Sequence, residues 1–73
     1  MQERPFDLLN KAIGGQVLIR LKNGTDIRGK MTAFDIHMNV VLDSAEELGD
    51  GVVKTKVGTI LLRGGNILWV SPA

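Results

Sequence analysis

Residues 16–33 read Q-V-L-I-R-L-K-N-G-T-D-I-R-G-K-M-T-A, and the fold turns on how this stretch pairs with itself. Val17, Ile19 and Leu21 alternate with Leu18, Arg20 and Lys22; Ile27, Gly29, Met31 and Ala33 alternate with Arg28, Lys30 and Thr32. A period of two over both runs predicts two half-buried strands joined around Asn23-Gly24. A two-residue turn would set Ile19 opposite Arg28 and mix the core and solvent faces, because a slip of one residue flips every side chain. A three-residue loop of Lys22, Asn23 and Gly24 instead sets Ile19 opposite Ile27, Val17 opposite Gly29 and Arg20 opposite Asp26. It also puts Gly24 at the left-handed third position, where a residue without Cβ meets no steric cost. The three-residue loop is the expected one.

Upstream, P-F-D-L-L-N-K-A-I predicts a helix over 5–13, with Pro5 at its first position, Asp7 near its positive end and Gly14-Gly15 as its stop. Leu8, Leu9, Ala12 and Ile13 fall on one face, and so short a helix holds only by packing on something else. Downstream, the first two strands (16–22 and 25–35) are followed by strands over 39–47, 52–62 and 66–70. Gly49-Asp50-Gly51 forms a turn and Gly58 a bend point. The expectation is a single all-β domain over 1–73, a short helix followed by a five-stranded antiparallel meander.

The last strand, I-L-W-V at 67–70, is apolar on both faces. A terminal strand of an antiparallel sheet is normally polar on one side or blunted by charge, so this one is expected to be covered by a closing barrel or a second subunit. Size favours the subunit. At 73 residues the chain buries barely enough apolar surface to offset its conformational entropy, and chains this short lean on disulfides, metals or partners. There is no cysteine and only one histidine, which leaves self-association. No metal or other cofactor is expected. The longest apolar runs are far short of a membrane span, and the first five residues carry no apolar leader core, so a cytoplasmic protein is expected. A net charge of +1 argues against coating a duplex by charge alone, so nucleic-acid binding would rest on a few placed residues.

Taken together, the Asn23-Gly24 turn, the central Gly29, A-F-D-I-H-M-N-V-V-L from Ala33 and L-R-G-G-N-I-L-W-V from Leu62 resemble the two motifs of the Sm and Sm-like RNA-binding proteins. The resemblance spans nearly the whole chain, and the tail-less length is most like the archaeal members. It implies a strongly bent five-stranded sheet, a small open barrel, in which the fourth strand of one subunit pairs with the fifth of the next. Repetition closes a homo-oligomeric ring, of seven rather than six subunits. The interface would then involve Ile60, Ile67, Leu68, Trp69 and Val70. The resemblance also implies a pore lined by the loops around His37 to Asn39 and Arg63 to Gly65, which hold uridine-rich single-stranded RNA.

The residues themselves admit plainer uses. His37 is the sole imidazole; as a catalytic base it would need a partner, and Asp35 is the one acid at hand, with no adjacent nucleophile. No acid–base pair is evident, so an enzyme is not expected, and a flat imidazole suits base stacking. Asn39 could simply bond its own turn. Its amide nevertheless complements uracil, accepting from N3–H and donating to O4, a pattern that cytosine reverses. Met38 between them is expected to pack inward. Arg63 is a solvated strand-end charge or a guanidinium plane that stacks on a base, and Gly64 beside it allows close approach of backbone to ligand. Gly65 stands where many relatives carry an acid, so any contact made by that carboxylate is missing. Arg20, Arg28 and Lys30 form an outer basic face, ordinarily only solvated, with a secondary RNA surface as the alternative reading. Lys54 and Lys56 read as solvent-facing charges. The competing functional class is a protein-interaction scaffold of small-barrel type, for which His37, Asn39 and Arg63 on two distant loops would have no use.

Overall fold

Pro5 fixes the backbone angle that opens helix α1 (Pro5–Ala12), Asp7 lies in its first turn and Lys11 in its last, each favourable to the helix dipole. Arg4 Nε donates to the Asp7 carboxylate at 3.2 Å. The helix stops one residue short of expectation because Ile13 is extended and Gly14 takes φ +86°. There the chain is captured by the sheet: Gly14 N–H donates to the Met31 carbonyl at 2.7 Å and Met31 N–H to that of Gly15 at 3.0 Å. Leu9 is buried, Ala12 packs partly against the core, and Leu8 and Ile13 stay exposed, so the packing face is narrower than the sequence suggests. In this computed structural model residues 4–72 are described; residues 1–3 and 73, included in the expected domain, lie outside them.

Strands β1 (Gln16–Leu21) and β2 (Asp26–Phe34) pair in the register that the alternating pattern demands, with Ile19 opposite Ile27, Val17 opposite Gly29 and Arg20 opposite Asp26. The three-residue loop is closed by Leu21 N–H to Thr25 O (2.8 Å) and Gly24 N–H to Leu21 O (2.9 Å), with Gly24 at φ +90°. Strands β3 (Val40–Gly49) and β4 (Val52–Leu62) continue the antiparallel order. A 3-10 turn at Gly64–Asn66 then leads into β5 (Ile67–Pro72).

The simple meander is where expectation fails. Strand β5 does not lie beside β4; it crosses over and pairs with β1, giving the order β4-β3-β2-β1-β5. Two features drive the crossing. The turn is pinned to the first hairpin by Lys22 N–H donating to Asn66 O at 2.8 Å, and Ile67 and Val70 gain cover by packing onto the core. The sheet can close this far because it is strongly bent, with register shifts in β2–β3 and β3–β4 and φ +75° at Gly58.

Inside the bend sit Val17, Ile19, Met31, Val40 and Leu42, fully buried, and no polar side chain is buried among the described residues. Gly29 is closely packed within this core. A Cβ there would meet the Ala45 Cα at 3.1 Å, the Asp43 carbonyl at 3.2 Å and the Leu42 Cβ at 3.2 Å. Two of these are backbone atoms that cannot swing aside. Gly29→Ala is therefore expected to cost about 1–3 kcal/mol of stability, the range for overpacking a core, as read by chemical denaturation.

Both edges of the sheet are open in the protomer. Strand β4 is exposed along most of its length, including Val52, Val53, Val57 and Leu61, and β5 exposes Leu68 and Trp69. Such edges invite pairing with another strand.

Candidate nucleic-acid interface

Asp35 directly follows β2 and organises the loop. Its Oδ1 accepts from the backbone N–H of His37 (2.9 Å) and of Asn39 (3.0 Å), and its Oδ2 accepts from the Asn39 side-chain Nδ2 (3.0 Å). Asp35 N–H donates to the Asn39 carbonyl at 3.1 Å and Met38 N–H to the Asp35 carbonyl at 3.0 Å, so the loop is closed at both ends. Those bonds, that from the Asn39 side chain first, hold the Asp35 carboxyl below its ordinary range against the opposing effect of desolvation. A group depressed in the folded state contributes stability above its unfolded value and loses it as pH falls through the folded value. The loop bonds are therefore expected to hold across neutral pH and to weaken as the pH falls below the ordinary carboxylate range.

The closed loop forces Met38 into the left-handed region at φ +65°. Its side chain is not packed into the core as expected; it is partly exposed and lines an apolar groove with Leu8, Leu68 and Trp69.

Asn39 then reaches the second loop, where its Oδ1 accepts from Gly64 N–H at 2.8 Å. Asn39 thus does not bond the backbone of its own turn, the plain expectation, but joins the Asp35 side chain to the second loop, and this has a chemical consequence. An ionised carboxylate only accepts and a backbone N–H only donates, so a single orientation of the amide satisfies both. One Oδ1 lone pair and one Nδ2 hydrogen stay uncommitted. Gly64 must be glycine for this: a Cβ there would strike the His37 carbonyl and come within 2.9 Å of the Met38 carbonyl. Asn66 N–H donates to the Arg63 carbonyl at 2.9 Å and closes the second loop as a turn.

With the two loops stitched together, His37, Asn39, Arg63, Gly65 and Asn66 line one recess. Three expected residues meet there. Asp35 and Gly64, also expected, act from behind as supports for Asn39. Asn66 belongs to the L-R-G-G-N motif but was not expected as a site residue; the 3-10 turn brings it to the recess. At Gly65 a Cβ would meet nothing within 4 Å, so the recess is open on that side. Of the outer basic residues, Arg20 is held by Asp26 (2.7 and 2.9 Å) and lies 5.4 Å from the Trp69 ring centroid, while Arg28 bonds Glu46 at 2.9 Å. The Asp26 bond raises the Arg20 pKa and that from Arg20 lowers the Asp26 pKa. Two of the three basic residues expected on that face are thus ion-paired.

The five interface candidates divide. Ile60, Ile67 and Val70 pack against the chain's own core, whereas Leu68 and Trp69 are exposed along the β5 edge.

A short helix on a bent five-stranded sheet with two open edges, its recess built by the loops after β2 and β4, defines the Sm-fold class of small β-proteins. The LSM domain family matches residues 7–72, and the chain belongs to that family. An snRNP Sm-like protein of Methanosarcina barkeri is 49% identical over 72 residues, covering 99% of this chain and 100% of that one. The Sm protein of Pyrococcus abyssii, solved in complex with a uridine heptamer, superposes with a TM-score of 0.93 at 44% identity, over 97% of this chain and 100% of that one. The SmAP1 heptamer of P. aerophilum gives 0.90 at 41% identity, over 100% and 97%.

Proposed function

We propose that this chain is the subunit of a seven-membered ring that holds uridine-rich single-stranded RNA in the recess of each protomer, by binding and without catalysis. One observation carries the reading: Asn39, locked in a single amide orientation by Asp35 and Gly64, lies in one recess with His37 and Arg63. A base stacked between imidazole and guanidinium would present its edge to the uncommitted lone pair and hydrogen. Uracil offers N3–H and O4, which match; cytosine offers an acceptor and a donor in the opposite places. The Asp35 carboxylate is spent on backbone and amide hydrogens, which suits a structural role better than that of orienting a catalytic imidazole.

The ring reading is supported by the heptameric relatives and by the complementary open edges, β4 on one side and β5 on the other. Leu68 and Trp69, with Val53, Val57 and Leu61 on the facing strand, would be covered between subunits. Closure also supplies affinity. Stacking contributes about 1–3 kcal/mol per base, and neighbouring recesses turn later contacts into intramolecular ones.

Asn39→Ala removes the reading edge together with the bonds to Asp35 and Gly64 that join the two loops, so overall affinity is expected to fall along with selectivity. Fluorescence titration with oligouridine and oligocytidine is expected to show a clear uridine preference in the wild type and near-equal affinities in the variant. Equal affinities in the wild type would refute edge reading and favour a protein-interaction scaffold.

A further inference from the structure

Asn66 lines two hollows. One is the base recess; the other is formed with Leu21, Lys22 and Asn23 of the first hairpin loop, and the two are tied together by the bond from Lys22 N–H to Asn66 O. We infer that this second hollow is a phosphate subsite, in which the Lys22 ammonium and the Asn23 and Asn66 amides hold the RNA backbone next to the base in the recess. The inference rests on the base-binding reading and adds to it a path for the chain.

The chemistry of the hollow is that of an anion site. Lys22 is exposed and has no ion-pair partner among the described residues, whereas Arg20 and Arg28 on the same hairpin are held by Asp26 and Glu46. Asn23 spends its Oδ1 on the Thr25 N–H at 2.9 Å, which leaves its NH2 to donate outward. The Asn66 main chain is used on both sides, by Arg63 O and Lys22 N–H, and its side-chain amide remains for a ligand. An ammonium with three hydrogens and two amide donors around one hollow favour an oxyanion.

The other ways out of the recess do not suit a polyanion. Past Gly64 the surface becomes the apolar groove of Met38, Leu68 and Trp69. Beyond Asn23 the hairpin's far side is a hollow bearing Asp26, Glu47 and Asp50, against Arg20, already paired, and Lys54. A strand leaving the recess with its phosphates in favourable company runs over Lys22.

The test is titration of fluorescein-labelled heptauridine and heptacytidine against wild type, Lys22→Gln and Lys54→Gln, at two or more salt concentrations. Native mass is measured to confirm assembly. Lys54→Gln removes the same charge from the acidic hollow. Lys22→Gln is expected to weaken both oligonucleotides by the same factor, about tenfold at low salt, and to flatten the log–log salt dependence by about 0.7 for each phosphate no longer neutralised. The uridine-to-cytidine ratio is expected to stay unchanged, and Lys54→Gln to match the wild type. Equal behaviour of the two variants, or an unchanged salt slope in Lys22→Gln, would overturn the phosphate subsite while leaving base reading intact. Wild-type indifference between the two oligonucleotides would instead overturn base reading, with the Lys22→Gln slope still deciding the phosphate subsite. Failure of the wild type to bind either would overturn both.

Discussion

Leu68→Asp is expected to break the ring into protomers. Leu68 is 60% exposed on the β5 edge, so the protomer core does not depend on it directly. In the ring it would lie between β5 and the neighbouring β4, whose Leu61 is equally exposed at 60%. A carboxylate there loses its water without gaining a partner, a cost of several kcal/mol per interface, repeated around the ring. Analytical ultracentrifugation at micromolar concentration is expected to give the ring for the wild type and a species near one chain's 7.9 kDa for the variant. Because so small a chain is marginal alone, the variant should also melt lower, since assembly stabilises the native state by mass action. Leu61→Asp attacks the interface from its other side and is expected to do the same. An intact ring in both would show that these edges do not pair between subunits.

Gly64→Ala is expected to abolish tight oligouridine binding by pushing the two loops apart. The added Cβ falls on the His37 carbonyl and the Met38 backbone, which the Asp35 bonds keep from yielding. The stability cost is that of local overpacking, about 1–3 kcal/mol. Binding suffers more. The Asn39 Oδ1 loses the Gly64 N–H, and His37 and Arg63 no longer face one another across a base. Losing even part of a stacking contribution of about 1–3 kcal/mol at each of several recesses should lower heptauridine affinity roughly 100-fold or more. Gly65→Ala is the control, because its Cβ enters open space, and it is expected to bind within a few-fold of wild type. Thermal denaturation alongside titration separates misfolding from loss of the recess. Normal binding by Gly64→Ala would mean that the loops need not touch for the recess to work.

What the sequence by itself determined is local and periodic. Alternation along 16–33 admits one register that keeps Val17, Ile19, Ile27 and Met31 on a common face, and that register is the one found. Pro5, Gly24 and the Gly49-Asp50-Gly51 turn mark element ends because their backbone preferences act within a few residues. His37, Asn39 and Arg63 were legible as candidates because the stretches around them carry a family pattern. What only the tertiary structure decided is adjacency across long sequence separation. That β5 lies beside β1 follows from the bend of the sheet and the bond from Lys22 to Asn66, and alternation within β5 records neither. Arg28 finds Glu46 across the sheet, Met38 turns outward because the Asp35 bonds close its loop, and Asn66 joins the recess through a turn. Asn39 is the sharpest case: its amide becomes selective only once a carboxylate four residues away and an N–H twenty-five residues away oppose each other across it. Periodicity places a side chain on a face of its own strand; the donor that orients it comes from whichever distant loop the folded sheet brings alongside.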